Sequence, residues 1–232
     1  MARRWVQRWG KLNVRQINQT MVERFISERA RVSPFTANKE IRYLRATFNF
    51  AQKKKLLAEN PLTGIGFLPM ERRVKYVPSP GDIDRVIAIA DPETQDYLWA
   101  IRETMARVSE INRLTWDDVS LESRYVVLYT RKKSGGHLTP RKVPMTSKLL
   151  EILSRRYHER DRTKPWVFWH RYWSGKDNGW KEGPYQERKK FMKTLGRKAE
   201  VRYFRFHALR HSGASLMDNS NAPIGAIQRI LA

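Results

Sequence analysis

The chain has 232 residues, with 46 Lys+Arg against 23 Asp+Glu, a formal charge of +23, and no cysteine. An excess of this size repels itself unless a polyanion neutralises it, so nucleic acid is the expected partner and an inert basic surface the weaker alternative. There is no apolar run long enough to span a bilayer and no hydrophobic leader after Met1-Ala2-Arg3-Arg4-Trp5, which argues against a membrane role, while the missing thiols exclude disulfides and thiolate-ligated zinc and fit a reducing cytoplasm.

In chain order, the spacing of Val14, Ile17, Met21, Phe25 and Ile26 predicts a helix over Val14 to Ala30. Ser33-Pro34-Phe35-Thr36 then offers start signals for a longer helix, with Ile41, Leu44, Phe48 and Ala51 on one face. That helix is expected to end near Lys53-Lys54-Lys55. A basic end suits the negative pole of a helix, and it can equally meet DNA phosphates. Asn60-Pro61-Leu62-Thr63-Gly64 stops the run, and Gly64 to Ser79, with the basic patch Arg72-Arg73, reads as a linker.

From Pro80 the pattern changes. Helices are expected over Asp82 to Ala90, Glu93 to Met105 and, briefly, Ser109 to Leu114. Tyr125 to Thr130 is a β-type run, and Lys133-Ser134-Gly135-Gly136 turns it back into a second strand around Arg141 to Pro144. Ser147 to Arg160 returns to helix, Pro165 to Trp169 is a short buried segment, and Ser174 to Gly183 reads as a loop. Further helices are expected over Tyr185 to Ala199, His207 to Asp218, and Ala222 to the last residue. The fold class is mainly α with a small antiparallel β-sheet (α+β), in two domains.

The ten residues His207-Ala-Leu-Arg-His-Ser-Gly-Ala-Ser-Leu216 carry the most chemistry. An imidazole and a guanidinium three apart on one helix suit a site that grips a phosphate and moves a proton near it. Alone, the pattern is more often that of an amphipathic helix with a surface Arg and a satisfied His. The five histidines (His137, His158, His170, His207, His211) show no metal-ligand spacing with carboxylates, so no metal is expected. The absence of a glycine-rich phosphate loop argues against ATP or GTP, and no cofactor is expected.

Three segments in order resemble the tyrosine recombinases, the phage-integrase family. Met105-Ala-Arg107-Val-Ser-Glu110-Ile-Asn-Arg-Leu-Thr-Trp116 is similar to the family's first arginine motif. Thr130-Arg-Lys132-Lys133-Ser-Gly-Gly, returning through Arg141-Lys-Val-Pro-Met145, resembles its catalytic-lysine hairpin, and Arg205-Phe-His207-Ala-Leu-Arg210-His211 its His-x-x-Arg motif. The helical part from Leu12 to Leu62 is similar to the family's core-binding domain. The resemblance implies residues 1–64 as a helical DNA-binding domain, 65–79 as linker and 80–232 as an incomplete catalytic domain, together a C-shaped clamp on double-stranded DNA.

By the same resemblance, Arg107 and Arg210 would clamp the oxygens of the scissile phosphate, and Glu110 would steady them or form an ordinary helix-surface ion pair. Lys133 would donate a proton to the departing 5′ oxygen. The match to a Lys-Thr-Gly type turn favours it over Lys132, the choice between them staying open, as does the alternative that both are surface lysines contacting phosphate. From the residues themselves, Lys132, Lys53, Lys54, Lys55, Arg72 and Arg73 are the candidate DNA contacts. His207 would act as general acid/base near the nucleophile, with His211 packing or hydrogen bonding within its helix. The family works as a homotetramer on two DNA sites, joined by a C-terminal tail; without that tail the chain alone is expected to be a monomer. The attacking tyrosine lies well after the His-x-x-Arg motif, in a region that Gln228-Arg-Ile-Leu-Ala232 only approaches, and all nine tyrosines precede Arg210. Two expectations stay open: a piece of a longer recombinase, or a catalytically silent relative that competes for recombination sites. A type IB topoisomerase shares the Arg-Lys-His chemistry, but the compact hairpin counts against it.

Overall fold

A computed structural model describes residues 2–71, 76–130, 136–186 and 190–231. The chain forms two compact units, Met1–Val74 and Lys75–Ala232, each with its own core.

The first unit is helical: α1 (Ala2–Trp9), α2 (Gln19–Val32) and α3 (Pro34–Lys53). The helix expected over Val14 to Ala30 is instead a single 3-10 turn at Val14–Gln16 followed by α2. Two asparagines cause the break, because a side-chain oxygen that captures a backbone N–H starts a helix afresh. Asn13 accepts from Arg15 N at 3.0 Å, and Asn18 accepts from Met21 N at 3.0 Å. Pro34 sits in the first turn of α3, where its missing N–H costs nothing. Val22, Phe25 and Ile26 of α2 pack against Ala37, Ile41, Leu44 and Phe48 of α3, and Trp9 meets Phe25 edge-on at 5.3 Å. Glu40 is fully buried in this layer, and Trp5 donates to it at 2.9 Å while Arg4 and Arg29 supply positive charge. The start of the stretch read as linker is tied to this unit: Ile65 is in the core, and Asn38 pairs with the main chain of Leu68 in both directions at 2.8 Å.

The second unit is a mainly helical α+β body. It contains α4 (Pro80–Ala88), α5 (Pro92–Thr104), α6 (Val108–Ile111), β1 (Val119–Ser120), β2 (Tyr125–Thr130), β3 (Thr139–Pro144) and α7 (Ser147–Glu159). After these come β4 (Trp169–Ser174), β5 (Gly179–Pro184), α8 (Phe191–Lys198), α9 (Phe206–Asn219) and α10 (Ile224–Leu231). The antiparallel sheet runs β1-β2-β3, with Leu128 opposite Arg141 and Val126 opposite Val143. β1 was not expected from sequence, being two residues long and paired only through Val119 and Ser120.

The span Ser174 to Gly183, expected as a loop, is half of a second hairpin formed by β4 and β5. Its glycines lie at the turn and strand ends, and Asn178 supplies the left-handed residue (φ 48°) that closes it. Cross-strand aromatic pairing holds the arms: Trp173 stands opposite Trp180 with ring centroids 5.8 Å apart. The helix expected from Tyr185 starts only at Phe191. Tyr185 is instead buried in the core, edge-on to Tyr97 at 4.9 Å, and its N–H reaches the Phe168 carbonyl at 3.4 Å. Val167 and Phe168 are buried, as the sequence of that short segment suggests.

α5 is the central helix. Tyr97, Leu98 and Ile101 are inaccessible to solvent, and α5 packs along α9 at Gly213. A Cβ added to Gly213 would stand 2.8 Å from the Arg102 carbonyl and 2.6 Å from a Met105 side-chain carbon. Backbone cannot yield there, so the absence of a side chain is what lets the two helices approach. No helix among the described residues is long and apolar enough to cross a membrane.

Candidate active site

The site is built where α5 ends. Met105 terminates that helix in the left-handed conformation (φ 48°, ψ 31°), reversing the chain so that Arg107 becomes the residue that caps α6. One turn later Glu110 points back. Its Oε2 accepts the Arg107 N–H at 3.0 Å, and its Oε1 accepts the Arg107 guanidinium at 2.8 Å. The same guanidinium donates to Thr130 Oγ1, at the end of β2, at 2.8 Å.

Two more guanidiniums converge on Glu110. Arg141 of β3 donates to Oε2 at 2.6 Å, and Arg210 of α9 brings a terminal nitrogen to 4.0 Å from the same oxygen. Arg210 donates to the Met105 carbonyl at 2.7 Å. Three guanidiniums thus share one carboxylate, which leaves an excess of positive charge in a largely desolvated place. Exposure divides their tasks: the Arg107 side chain is 35% exposed, against 6% for Arg210, 8% for Arg141 and 1% for Glu110.

The titration of these groups follows. Burial pushes the Glu110 carboxyl up, but the Arg107 N–H and guanidinium and the charge of Arg141 outweigh it, so its pKa lies below the usual value. Arg210 is pulled down to about 10, first by burial and then by repulsion from Arg107, with Glu110 acting the other way. At neutral pH it remains a cation. An anion placed beside Arg107 and Arg210 would therefore relieve strain rather than create it.

Of the residues singled out from sequence, the structure joins Arg107, Glu110 and Arg210 through Glu110. His207 lies one turn before Arg210 on α9 but is exposed where Arg210 is buried. His211, expected to pack or hydrogen bond within the helix, is exposed and stands perpendicular to His207 with ring centroids 4.3 Å apart. Lys132 and Lys133, and Arg72 and Arg73, lie outside the described residues. In the first unit Lys53, Lys54 and Lys55 are exposed at and beyond the end of α3. Lys55 lines a cavity of about 1220 Å³ with Arg15, Asn18, Gln19, Gln52 and Asn60. Among the described residues, no group of three or more His, Asp or Glu side chains is placed to hold a metal ion.

Sequence reading quoted Thr130 and Arg141 as parts of the hairpin motif but gave neither a role at the site. A signal for Arg141 was present: it shares a strand face with Val143, and a charge on a core-facing strand position needs a buried partner.

Comparison with known proteins places the chain in a family. The chain is 26% identical over 148 residues to a tyrosine recombinase of Pseudothermotoga lettingae, covering 61% of this chain and 50% of that protein. It is 21% identical over 193 residues to the integrase of Salmonella phage P22, covering 81% and 48% respectively. The chain thus spans about half the length of these curated relatives. Among solved structures, the Tn1549 transposon integrase in complex with circular intermediate DNA superposes with a TM-score of 0.74 at 20% identity, over 98% of this chain and 81% of that one. A lambda integrase dimer bound to a core site superposes with a TM-score of 0.68 at 13% identity, over 97% of this chain and 81% of that one. The family model described as "Phage integrase family" matches residues 82–232, well over half of the sequence, and the chain belongs to that family.

Proposed function

We propose that this chain is the DNA-binding and phosphate-activating part of a site-specific recombinase of the tyrosine class. The observation that carries the reading is the union of Arg107 and Arg210 around one buried carboxylate, with positive charge left over. A phosphodiester under attack passes through a pentacovalent state richer in negative charge than its ground state. Donors fixed beforehand around that position stabilise it without reorganising, and each is worth on the order of 3 kcal/mol. A planar guanidinium also meets two oxygens at once.

In the proposed reaction a tyrosine hydroxyl attacks the phosphorus, the bond to the 5′ oxygen breaks, and a 3′-phosphotyrosyl link keeps the bond energy for rejoining. Lys133, or its neighbour Lys132, protonates the leaving 5′ oxygen, and His207 moves the proton at the attacking side. Lys53, Lys54, Lys55, Arg72 and Arg73 hold the duplex through its backbone, which gives affinity without sequence information. Four copies act on two DNA segments. The solved DNA complexes of the Tn1549 and lambda integrases support this reading.

The test is a site selected from random duplex, followed by phosphate-ethylation interference on it. One phosphate per strand should interfere most strongly, and R107A and R210A should each lose that signal while base contacts persist. Interference spread evenly along the backbone, unchanged in both variants, would overturn the clamp. The rival reading, a regulator that occupies recombination sites without cutting, predicts the same interference but no strand cleavage by the whole gene product.

A further inference from the structure

One buried cation at the site has no part in the proposed chemistry. Arg141 donates one terminal nitrogen to Glu110 and the other to the main-chain oxygen of Ile230, in the last turn of α10. Its Nε is buried and has no acceptor among the described residues. The guanidinium therefore joins three elements far apart in sequence: β3, α6 and α10.

We propose that Arg141 is a positioning residue that couples the seating of α10 to the aim of Arg107, acting through Glu110. The inference rests on the reading of Arg107 and Arg210 as a phosphate clamp. A carboxylate is a rigid plane, so the two oxygens of Glu110 cannot move separately. Oε1 holds the Arg107 guanidinium and Oε2 holds Arg141, so a shift of Arg141 is passed to Arg107. At its other end Arg141 donates to the main-chain oxygen of Ile230, so the guanidinium holds α10 directly. If α10 leaves its seat, Arg141 keeps a single acceptor in a place with little water and must follow the helix or turn outward. The coupling is reciprocal. Arg107, Arg210 and Arg141 repel one another across Glu110, so an anion beside the first two relieves that repulsion. Arg141 is then held more firmly, and α10 with it.

The experiment is amide hydrogen exchange of α10, read at Gln228, Arg229 and Ile230, with inorganic phosphate or chloride at equal ionic strength. In the wild type, phosphate should slow these amides several-fold. In R141M they should exchange faster than in wild type, and phosphate should no longer slow them. E110Q should speed the same amides without any phosphate, because Arg141 then loses its charged acceptor. Phosphate protection that persists in R141M, or α10 exchange that is unmoved by E110Q, overturns the coupling. Binding of phosphate itself is followed separately by the side-chain N–H resonances of Arg107 and Arg210. If those do not shift while E110Q still releases α10, the coupling stands and the clamp reading falls.

Discussion

Arg210 donates to the main-chain oxygen of Met105 at 2.7 Å, so the helix carrying the second arginine is tied to the reversed residue that positions the first. The two cations are thereby fixed to each other by main chain, and not only by the acid between them. This bond requires α9 to lie close against α5, which Gly213 permits.

Gly213→Ala should push α9 away from α5, because the Arg102 carbonyl cannot retreat. Overpacking of this kind costs about 1–3 kcal/mol. Chemical denaturation should show that loss, and affinity for duplex should fall with it as Arg210 withdraws from Met105. An unchanged denaturation midpoint would mean that the helices have slack there.

Glu110→Gln keeps the shape and removes the charge shared by three guanidiniums. Leaving buried cations without their acid costs about 3–5 kcal/mol. Thermal unfolding of the variant, compared at equal salt, measures it. A variant as stable as the wild type would show that solvent screens the cluster.

The pH dependence has a definite sign. The folded-state pKa of Glu110 lies below the ordinary 4.5, so its contribution is complete above that value and is lost as pH falls through the lowered one. The stability gap between wild type and E110Q should therefore be constant at neutral pH and close in acid. Urea titrations at several pH values give the gap directly, and one that widens on acidification would contradict the assignment.

Tyr97 is inaccessible to solvent and donates its hydroxyl to Asn112, the residue that ends α6. Tyr97→Phe leaves the Asn112 side-chain oxygen short of a donor, at a cost of about 1–3 kcal/mol. Because Asn112 follows Glu110 by two residues, loosening should also appear as faster amide exchange in α6. Exchange confined to α5 would show that the bond braces only its own helix.

Binding of random duplex should weaken with added salt at a log–log slope of about −0.9 per phosphate neutralised. Replacing Lys53, Lys54 and Lys55 by Ala should make the slope shallower, roughly by one unit for each lysine that meets a phosphate. A slope that does not respond would place the contacts elsewhere.

The elements legible in the sequence were those whose signal is local. β2 was readable because β-branched and aromatic residues fill it, and α3 because Pro34 opens it and an apolar stripe follows. Failures occurred where one side chain outweighed the periodicity: Asn18 divided an even apolar pattern, and Tyr185 looked helical but was claimed by the core. The β4–β5 hairpin was hidden because its glycines suggest a loop, while its stability comes from Trp173 meeting Trp180 across the turn. At the site, Arg107, Glu110 and Arg210 could be named from their motifs. The joining of Arg141 to Ile230 could not, since 89 residues separate them and no short pattern encodes that contact.

The Trp173–Trp180 pair also has an optical consequence. Two indoles held 5.8 Å apart at 80° couple their electronic transitions, which splits the far-ultraviolet dichroism into a couplet of opposite signs. With both rings more than half exposed, the couplet reports on the β4–β5 hairpin and not on the interior. It should vanish in W173F and W180F while the helical signal stays. On heating, it should fade at whatever temperature the hairpin frays, giving a built-in local thermometer for one edge of the molecule.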